Sequence, residues 1–179
     1  MKLTTIVSVW GESTALLSMM YRFNSACNAL SVIAYQEHIW GWLPLQRRAY
    51  RWLRDEHGLN STQATVAVRK VAYAYKNKAR RSTLVTFRPL GAIPLYHHAY
   101  KRDSTVLVYG HRLSFQARPD VTLSSKCQAT FVYRGGRFFI HQVIEVAKPS
   151  SVMSVGFLGC DLGIINILAD SDGETYSGG

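Results

Sequence analysis

The sequence predicts an α+β fold: a small antiparallel β-barrel interrupted by a helical insertion. Three observations predict it. A strand-like run opens the chain, segments of helical periodicity follow, and from about residue 82 the apolar pattern switches to a period of two. With 179 residues, 47% of them hydrophobic, the chain has enough for one good core or for two small domains sharing a surface.

The opening run KLTTIVSVW reads as a strand because Thr, Ile and Val dominate it and Gly11 ends it. Ser13 is expected to cap a first helix over about residues 14–38. Leu16, Met20, Phe23, Cys27, Leu30 and Ala34 recur there at intervals of four and three, one continuous apolar stripe. WGWLP is expected to break that helix. A second helix should begin near Leu45 and end at EHG, with Gly58 as its C-terminal cap. Leu45, Ala49, Trp52 and Leu53 make its inner face, and Arg47, Arg51 and Arg54 share the opposite one.

A third helix should start after NS, capped by Asn60 or Ser61, with Ala64, Val68, Val71 and Tyr75 as its buried stripe. Arg69, Tyr73, Lys76 and Arg80 form a second stripe at spacings of four, three and four, and Arg81 adjoins it. Cations interleaved with an aromatic ring suit a nucleic-acid backbone carrying an exposed base. A solvated basic face is the alternative.

Beyond residue 82, TLVTF, AIPLY, TVLVYG, RLSFQA, CQATFVYR and RFFIHQVIEV all read as short strands. YRGGRF reads as a tight hairpin in which Gly135-Gly136 supply positive φ. AKPSS reads as a linker, and a last hairpin is expected from about Val155. That segment, VGFLGCDLGIINILADSDGE, sets Asp161 in an apolar run, where an ionised carboxylate needs a partner or a cation. One carboxylate does not hold Mg²⁺ well, and two-metal phosphodiester cleavage needs several acids converging from distant parts of a fold. Asp170, Asp172 and Glu174 read as turn chemistry.

The net charge is +10, and it is concentrated. Residues 41–103 hold 13 basic and 3 acidic residues, whereas residues 149–179 hold four acidic residues and no basic one. Such an excess points to a polyanionic partner: RNA, DNA or an anionic membrane surface. The three cysteines, Cys27, Cys127 and Cys160, are far apart and form no CxxC pair. No disulfide framework or zinc site is therefore expected within the chain, and a reducing compartment is. Glu12 interrupts the apolar start and no cleavage site follows, so no signal peptide is expected. No apolar run is long enough to span a membrane, which makes a soluble cytoplasmic protein the expectation. His97 and His98 are adjacent and face opposite sides of a strand, so they are assigned no metal. No Walker loop, HExxH or G-x-S-x-G is present, which leaves a hydrolase or nucleotide-binding enzyme unsupported.

In chain order, YRFNSACNALS, LQRRAYRWLRDEHGL, STQATVAVRKVAYAYK, FRPLGAIPLY, ATFVYRGGRFFIHQVIEV and LGCDLGIINILADSDGETYSG carry a resemblance. The chain resembles the N-terminal half of the TnpB-type proteins, transposon-encoded RNA-guided DNA endonucleases of the insertion-sequence OrfB transposase family, similar to type V CRISPR effectors. The resemblance implies a wedge-type, oligonucleotide-binding-like β-barrel from residues 1–10 and 82–150, with residues 11–81 inserted as a three-helix recognition lobe. Residues 151–179 would begin an RNase H-like (RuvC) nuclease domain. Guide RNA and target DNA are the implied partners, and a prokaryotic or viral host is implied with them. Asp161 would be catalytic, the first of three Mg²⁺-binding acids.

Gln63 matches a helix position that in the family faces a short target-adjacent DNA motif, and a Gln there can pair bidentately with adenine. Otherwise it is an exposed polar residue at a helix start. The family's other two acids and its zinc-binding CxxC pairs have no counterpart here, so this chain alone is not expected to cleave. A second chain, or a missing C-terminal part, would complete the nuclease domain and cover the strand edge of IINILAD. The alternative is a nuclease-inactive RNA-guided DNA-binding or RNA-binding protein, acting as a regulator or as one half of a split effector.

Overall fold

Strand β1 (Lys2–Trp10) sits in the middle of a six-stranded antiparallel sheet, with Val7 and Val9 buried and Ile6 and Trp10 turned outward. This period-two alternation is what the run of β-branched residues predicts. The structure is a computed structural model, and it describes residues 2–95, 105–115, 128–145, 159–161 and 166–177. The chain divides into two compact units, Met1–Val146 and Ala147–Gly179.

After β1 the chain leaves the sheet for three helices: α1 (Ser13–Gln36), α2 (Trp42–Asp55) and α3 (Ser61–Ala74). It passes through a short 3-10 helix (Lys78–Ser82) and returns to the sheet as β2 (Ile93–Leu95). Strands β3 (Thr105–Val108), β4 (His111–Phe115), β5 (Ala129–Arg134) and β6 (Arg137–Glu145) follow. The strand order is β2-β5-β6-β1-β4-β3, curled into a half-barrel. β1 pairs with β6 from Lys2↔Glu145 to Val9↔Phe138, then reaches β4 at Val9↔Phe115 and Trp10↔Ser114. The helices are thus an insertion between one central strand and the rest of its sheet.

One hydrophobic core serves both layers. The stripe Leu16, Met20, Phe23, Cys27, Leu30 and Ala34 of α1 is fully buried, as are Ala64, Val68, Val71 and Tyr75 of α3. They join Val7, Leu113, Phe131 and Ile140 from the sheet in a single cluster. The β5–β6 hairpin turns on Gly135 and Gly136 with φ of +57° and +77°, as the two-glycine signal predicts.

Local structure departs from the sequence reading at the C-terminal cap of α2, which is Glu56 and not Gly58, and at three further places. Glu12, not Ser13, is the residue before α1, and its side chain makes no capping bond. Helix α2 starts at Trp42, ahead of Leu45. Pro44 does not stop it, because the first intrahelical bond is donated by Leu45 to the Gly41 carbonyl and no N–H is needed earlier. Third, TLVTF is not a strand. Residues 83–92 run along α1 without strand pairing and turn at Arg88–Gly91, and the alternation is real, with Val85 and Phe87 half-buried and Leu84 and Thr86 exposed.

That strap takes its hydrogen bonds from helix side chains. Asn28 accepts from the Phe87 N–H at 2.7 Å and donates to the Phe87 carbonyl at 3.0 Å. The Ser31 hydroxyl donates to the Val85 carbonyl at 2.6 Å, and the Tyr75 hydroxyl accepts from the Val85 N–H at 3.0 Å. Asn24 donates to the carbonyls of Pro89 and Gly91 at 3.1 and 2.9 Å. Lys70 of α3 donates to the Asn24 carboxamide oxygen and to the Ala92 carbonyl at 2.7 and 2.8 Å. Asn24, Asn28, Ser31 and Tyr35, which reaches the Ser82 carbonyl, recur at four, three and four: a polar stripe beside the apolar one.

In the smaller unit, β7 (Cys160–Asp161), β8 (Asn166–Asp170) and β9 (Thr175–Ser177) form an antiparallel sheet in that order. The AKPSS segment and Val155 lie outside the described residues, as do Cys127, His97 and His98. Among the described residues no helix is long and apolar enough to cross a membrane.

Two outcomes follow from this core. Asn24→Ala leaves two strap carbonyls and the Lys70 ammonium short of partners, and should lower the unfolding free energy by about 2–3 kcal/mol with an unchanged m-value in urea. The Cys27 thiol is pushed by burial from an ordinary 9.0 up to about 12, against the pull of Lys70. Above 9.0 the unfolded chain releases this proton while the folded chain keeps it, so the thiol's contribution to stability falls as pH rises toward 12. Lys70, whose value burial lowers, sheds its proton first in the folded state and so opposes that slope below 10.5. Urea unfolding of wild type and Cys27→Ala across this range isolates the thiol: the variant should show the less negative slope, and equal slopes would contradict its burial.

Candidate nucleic-acid interface

The basic stripe proposed for the third helix does not lie on one helix. Helix α3 ends at Ala74, Tyr75 caps it, and Asn77 caps the 3-10 helix by accepting from the Ala79 N–H. The turn still keeps Arg69, Tyr73, Lys76, Arg80 and Arg81 on one side of the molecule. Arg69, Tyr73, Lys76 and Arg81, with Trp40, Gly41, Trp42 and Ala72, line an open groove of about 410 Å³. A second, shallower hollow of about 440 Å³ is lined by Tyr73, Ala74, Lys76, Asn77 and Arg80. Tyr73 and Lys76 belong to both, so the two hollows adjoin.

Each ring in the groove carries a cation. The Arg69 guanidinium lies 5.2 Å from the centre of Trp42, Lys76 Nζ 5.9 Å from Tyr73, and the Arg81 guanidinium 5.8 Å from Trp40. Arg81 is also held from below, because its Nε–H donates to the Tyr75 carbonyl at 3.1 Å. Trp40 packs on the Tyr75 ring at 5.0 Å, which joins the groove floor to the core. The rings keep open surface: Trp42 is 46% exposed and Tyr73 68%. Among the described residues no carboxylate lines either hollow. The arrangement offers fixed cations to anions and flat apolar faces to a planar group.

Arg47, Arg51 and Arg54 are exposed on α2, as expected, but none of them lines this groove. Trp40 and Trp42 are the residues that sequence reasoning missed. WGWLP was legible as a helix break, whereas two tryptophans flanking a glycine beside a basic helix were the available signal.

Gln63 is not an exposed residue; it is 2% accessible. Its N–H donates to the Asn60 side chain at 2.8 Å, and its carboxamide oxygen accepts from the Asn60 N–H at 3.1 Å. This is a complete capping box. In this conformation Gln63 is a capping group, and to meet an adenine edge it would have to leave the box.

Asp161 is exposed on the edge strand β7, where Asp161↔Ala169 and Cys160↔Asp170 are the registered pairs. The apolar run around it therefore does not bury the carboxylate. Asp170 is the nearest acid across that pairing, and one of its oxygens anchors the turn that follows. Its carboxylate accepts from the N–H groups of Asp172 and Glu174 at 3.1 and 2.9 Å, and Gly173 turns the chain at φ +91°. The SDGE segment is thus a turn built on its own acid, as its composition predicts. Among the described residues no group of three or more His, Cys, Asp or Glu is placed to hold a metal ion.

No protein-family model matches the chain, and no curated protein matches it.

Gln63→Ala should cost about 1 kcal/mol of stability, the usual worth of such a cap, measured by urea unfolding. Lost duplex-DNA affinity without lost stability would instead mean that the side chain leaves the box to contact DNA.

Proposed function

We propose that this chain is the nucleic-acid-holding portion of a TnpB-type RNA-guided DNA endonuclease, binding guide RNA and reading a short motif in the target DNA. In this reading the half-barrel is the wedge-type, oligonucleotide-binding-like domain and α1–α3 are the recognition lobe. Strands β7–β9 then begin a RuvC domain. The groove carries the proposal: cations on every ring, no carboxylate among its lining residues, and a net charge of +10 behind it. The insertion of the helices after a single central strand supports the wedge assignment.

Cleavage is not assigned to these residues. Asp161 could supply one Mg²⁺ ligand, but the ion requires near-octahedral oxygen coordination, and among the described residues no group of three or more His, Cys, Asp or Glu is placed to supply it. The described residues therefore do not fit a Mg²⁺ site by themselves, and no hydrolytic step is derived through one. A second reading shares the groove: a nuclease-inactive RNA-guided DNA-binding or RNA-binding protein, a regulator or half of a split effector. The exposure of Asp161 on β7, registered opposite Ala169 and not opposite a second acid, is the observation in its favour. Mg²⁺-dependent cutting of target DNA by the purified chain with its co-purified RNA would decide for the enzyme.

Replacing Arg69, Lys76 and Arg80 together with Ala should weaken RNA binding at every sequence. It should also flatten the log–log salt dependence by about 2, as expected for three lost single-strand phosphate contacts. An unchanged salt slope in a fluorescence-anisotropy titration would remove the groove as the backbone-binding surface.

A further inference from the structure

We infer that the groove is a site for unpaired nucleotides, with bases stacked against Trp42 and Tyr73 and phosphates held by Lys76, Arg80 and Arg81. The inference rests on the nucleic-acid reading above and narrows it to single-stranded segments.

The rings decide this. A surface that grips duplex backbone needs cations and hydrogen-bond donors, and gains nothing from solvent-exposed aromatic side chains. Here Trp42 and Tyr73 stand open to solvent within a stretch of chain that also supplies four cations to the two hollows beside them. Exposed aromatic rings next to fixed positive charge are the shared chemistry of single-strand sites, because every base has a flat face to stack. The volume of about 410 Å³ lies within the range of small-molecule sites, roughly 300–1,000 Å³, and admits a base with its sugar.

Two features favour a strand over a free nucleotide. A second hollow, lined by Arg80, adjoins the groove at Tyr73 and Lys76, so consecutive nucleotides can occupy adjoining spaces. The floor is also preorganised. Arg81 is tied to the Tyr75 carbonyl, and the Tyr75 hydroxyl is in turn bonded to Ser31 at 2.8 Å and to the Val85 N–H at 3.0 Å. A donor fixed in this way loses little freedom when it meets a phosphate. Trp40, lying between Arg81 and Tyr75, closes the inner end of the slot.

The test uses the full chain. Anisotropy titrations would employ a labelled oligouridylate, with uridine monophosphate, blunt duplex DNA and heparin as competitors, while tryptophan emission is recorded. The oligouridylate should quench tryptophan emission. Tyr73→Ala and Trp42→Ala should each weaken its binding about tenfold, within the range of one base-stacking contact. Tyr73→Phe and Trp42→Phe should restore it. Heparin, which offers anions without bases, should bind the Ala variants as well as it binds wild type. Circular dichroism checks that the variants are folded, as the exposure of both rings leads one to expect.

Ring variants that leave oligouridylate binding intact, or that weaken heparin equally, would overturn the stacking site while the electrostatic reading stands. Uridine monophosphate binding as tightly as the oligomer would overturn the strand in favour of a mononucleotide site. Absence of any salt-sensitive binding to RNA, DNA or heparin would bring down the nucleic-acid reading itself.

Discussion

The constraint on which the larger unit depends is the strap of residues 83–92, whose backbone pairs with no strand among the described residues. A buried N–H or carbonyl left unpaired costs about 1–3 kcal/mol, so a segment of this length cannot lie against a helix without a substitute ladder. Helix α1 supplies one by placing Asn24, Asn28, Ser31 and Tyr35 at helical spacing next to its apolar stripe. Lys70 completes it from α3, with its ammonium near the rings of Phe23 and Phe87 and bonded to Asn24 and Ala92. Burial lowers the proton affinity of this lysine, but its bonds to the Asn24 and Ala92 oxygens give the charge partners within the core.

The groove is built on the same network. Tyr75 is the residue at which α3 stops, and its hydroxyl binds both the strap and Ser31. Its carbonyl holds Arg81, and its ring supports Trp40. The end of α3, the turn into the 3-10 helix and the inner wall of the groove are therefore set by the backbone and side chain of one wholly buried residue. The β3–β4 turn is tied to the core by a different tyrosine. Tyr109 adopts φ +48°, an unfavourable conformation for a bulky residue, which the hydrogen bond from its hydroxyl to the Pro94 carbonyl and its stacking on Phe23 offset. That contact also connects the turn to β2, at the other edge of the half-barrel.

How much of this was legible depends on which signal each residue leaves. Alternation of burial was legible wherever it occurred, so β1 and β3–β6 follow the sequence pattern. TLVTF shows the limit of that signal: alternation reports which residues face inward, not whether the backbone pairs with a strand or with amide side chains. The clue lay in α1, where Asn24 and Asn28 interrupt an apolar helix at a spacing that solvent exposure does not explain. The second helix read as starting near Leu45, after Pro44, because the place of Pro44 within the first turn, where no donor is needed, is invisible until the helix start is known. Gln63 read as exposed because a capping box and a solvated helix start share the same polar composition. The cations of the groove were legible from spacing, but its aromatic wall was not, since Trp40 and Trp42 belong to the loop and helix start that were read only as a break.

The position of the groove in the chain has a consequence for how its parts cohere. All of its lining residues fall between Trp40 and Arg81, so they come together through contacts that are short in sequence. The sheet is the opposite case, since β1 cannot pair with β6 until almost the whole of the larger unit is present. Contacts of such separation bear a large loop-closure cost, and the helices reduce it by folding the intervening segment. The strap converts that gain into geometry: it runs along α1 directly into β2, so the order of the helical layer is transmitted to the edge of the sheet. A groove of basic residues repels itself and gains little from the core. It is held open because Tyr75, Ser31 and Val85, which help to fix the Arg81 guanidinium, are also the residues that seat the strap.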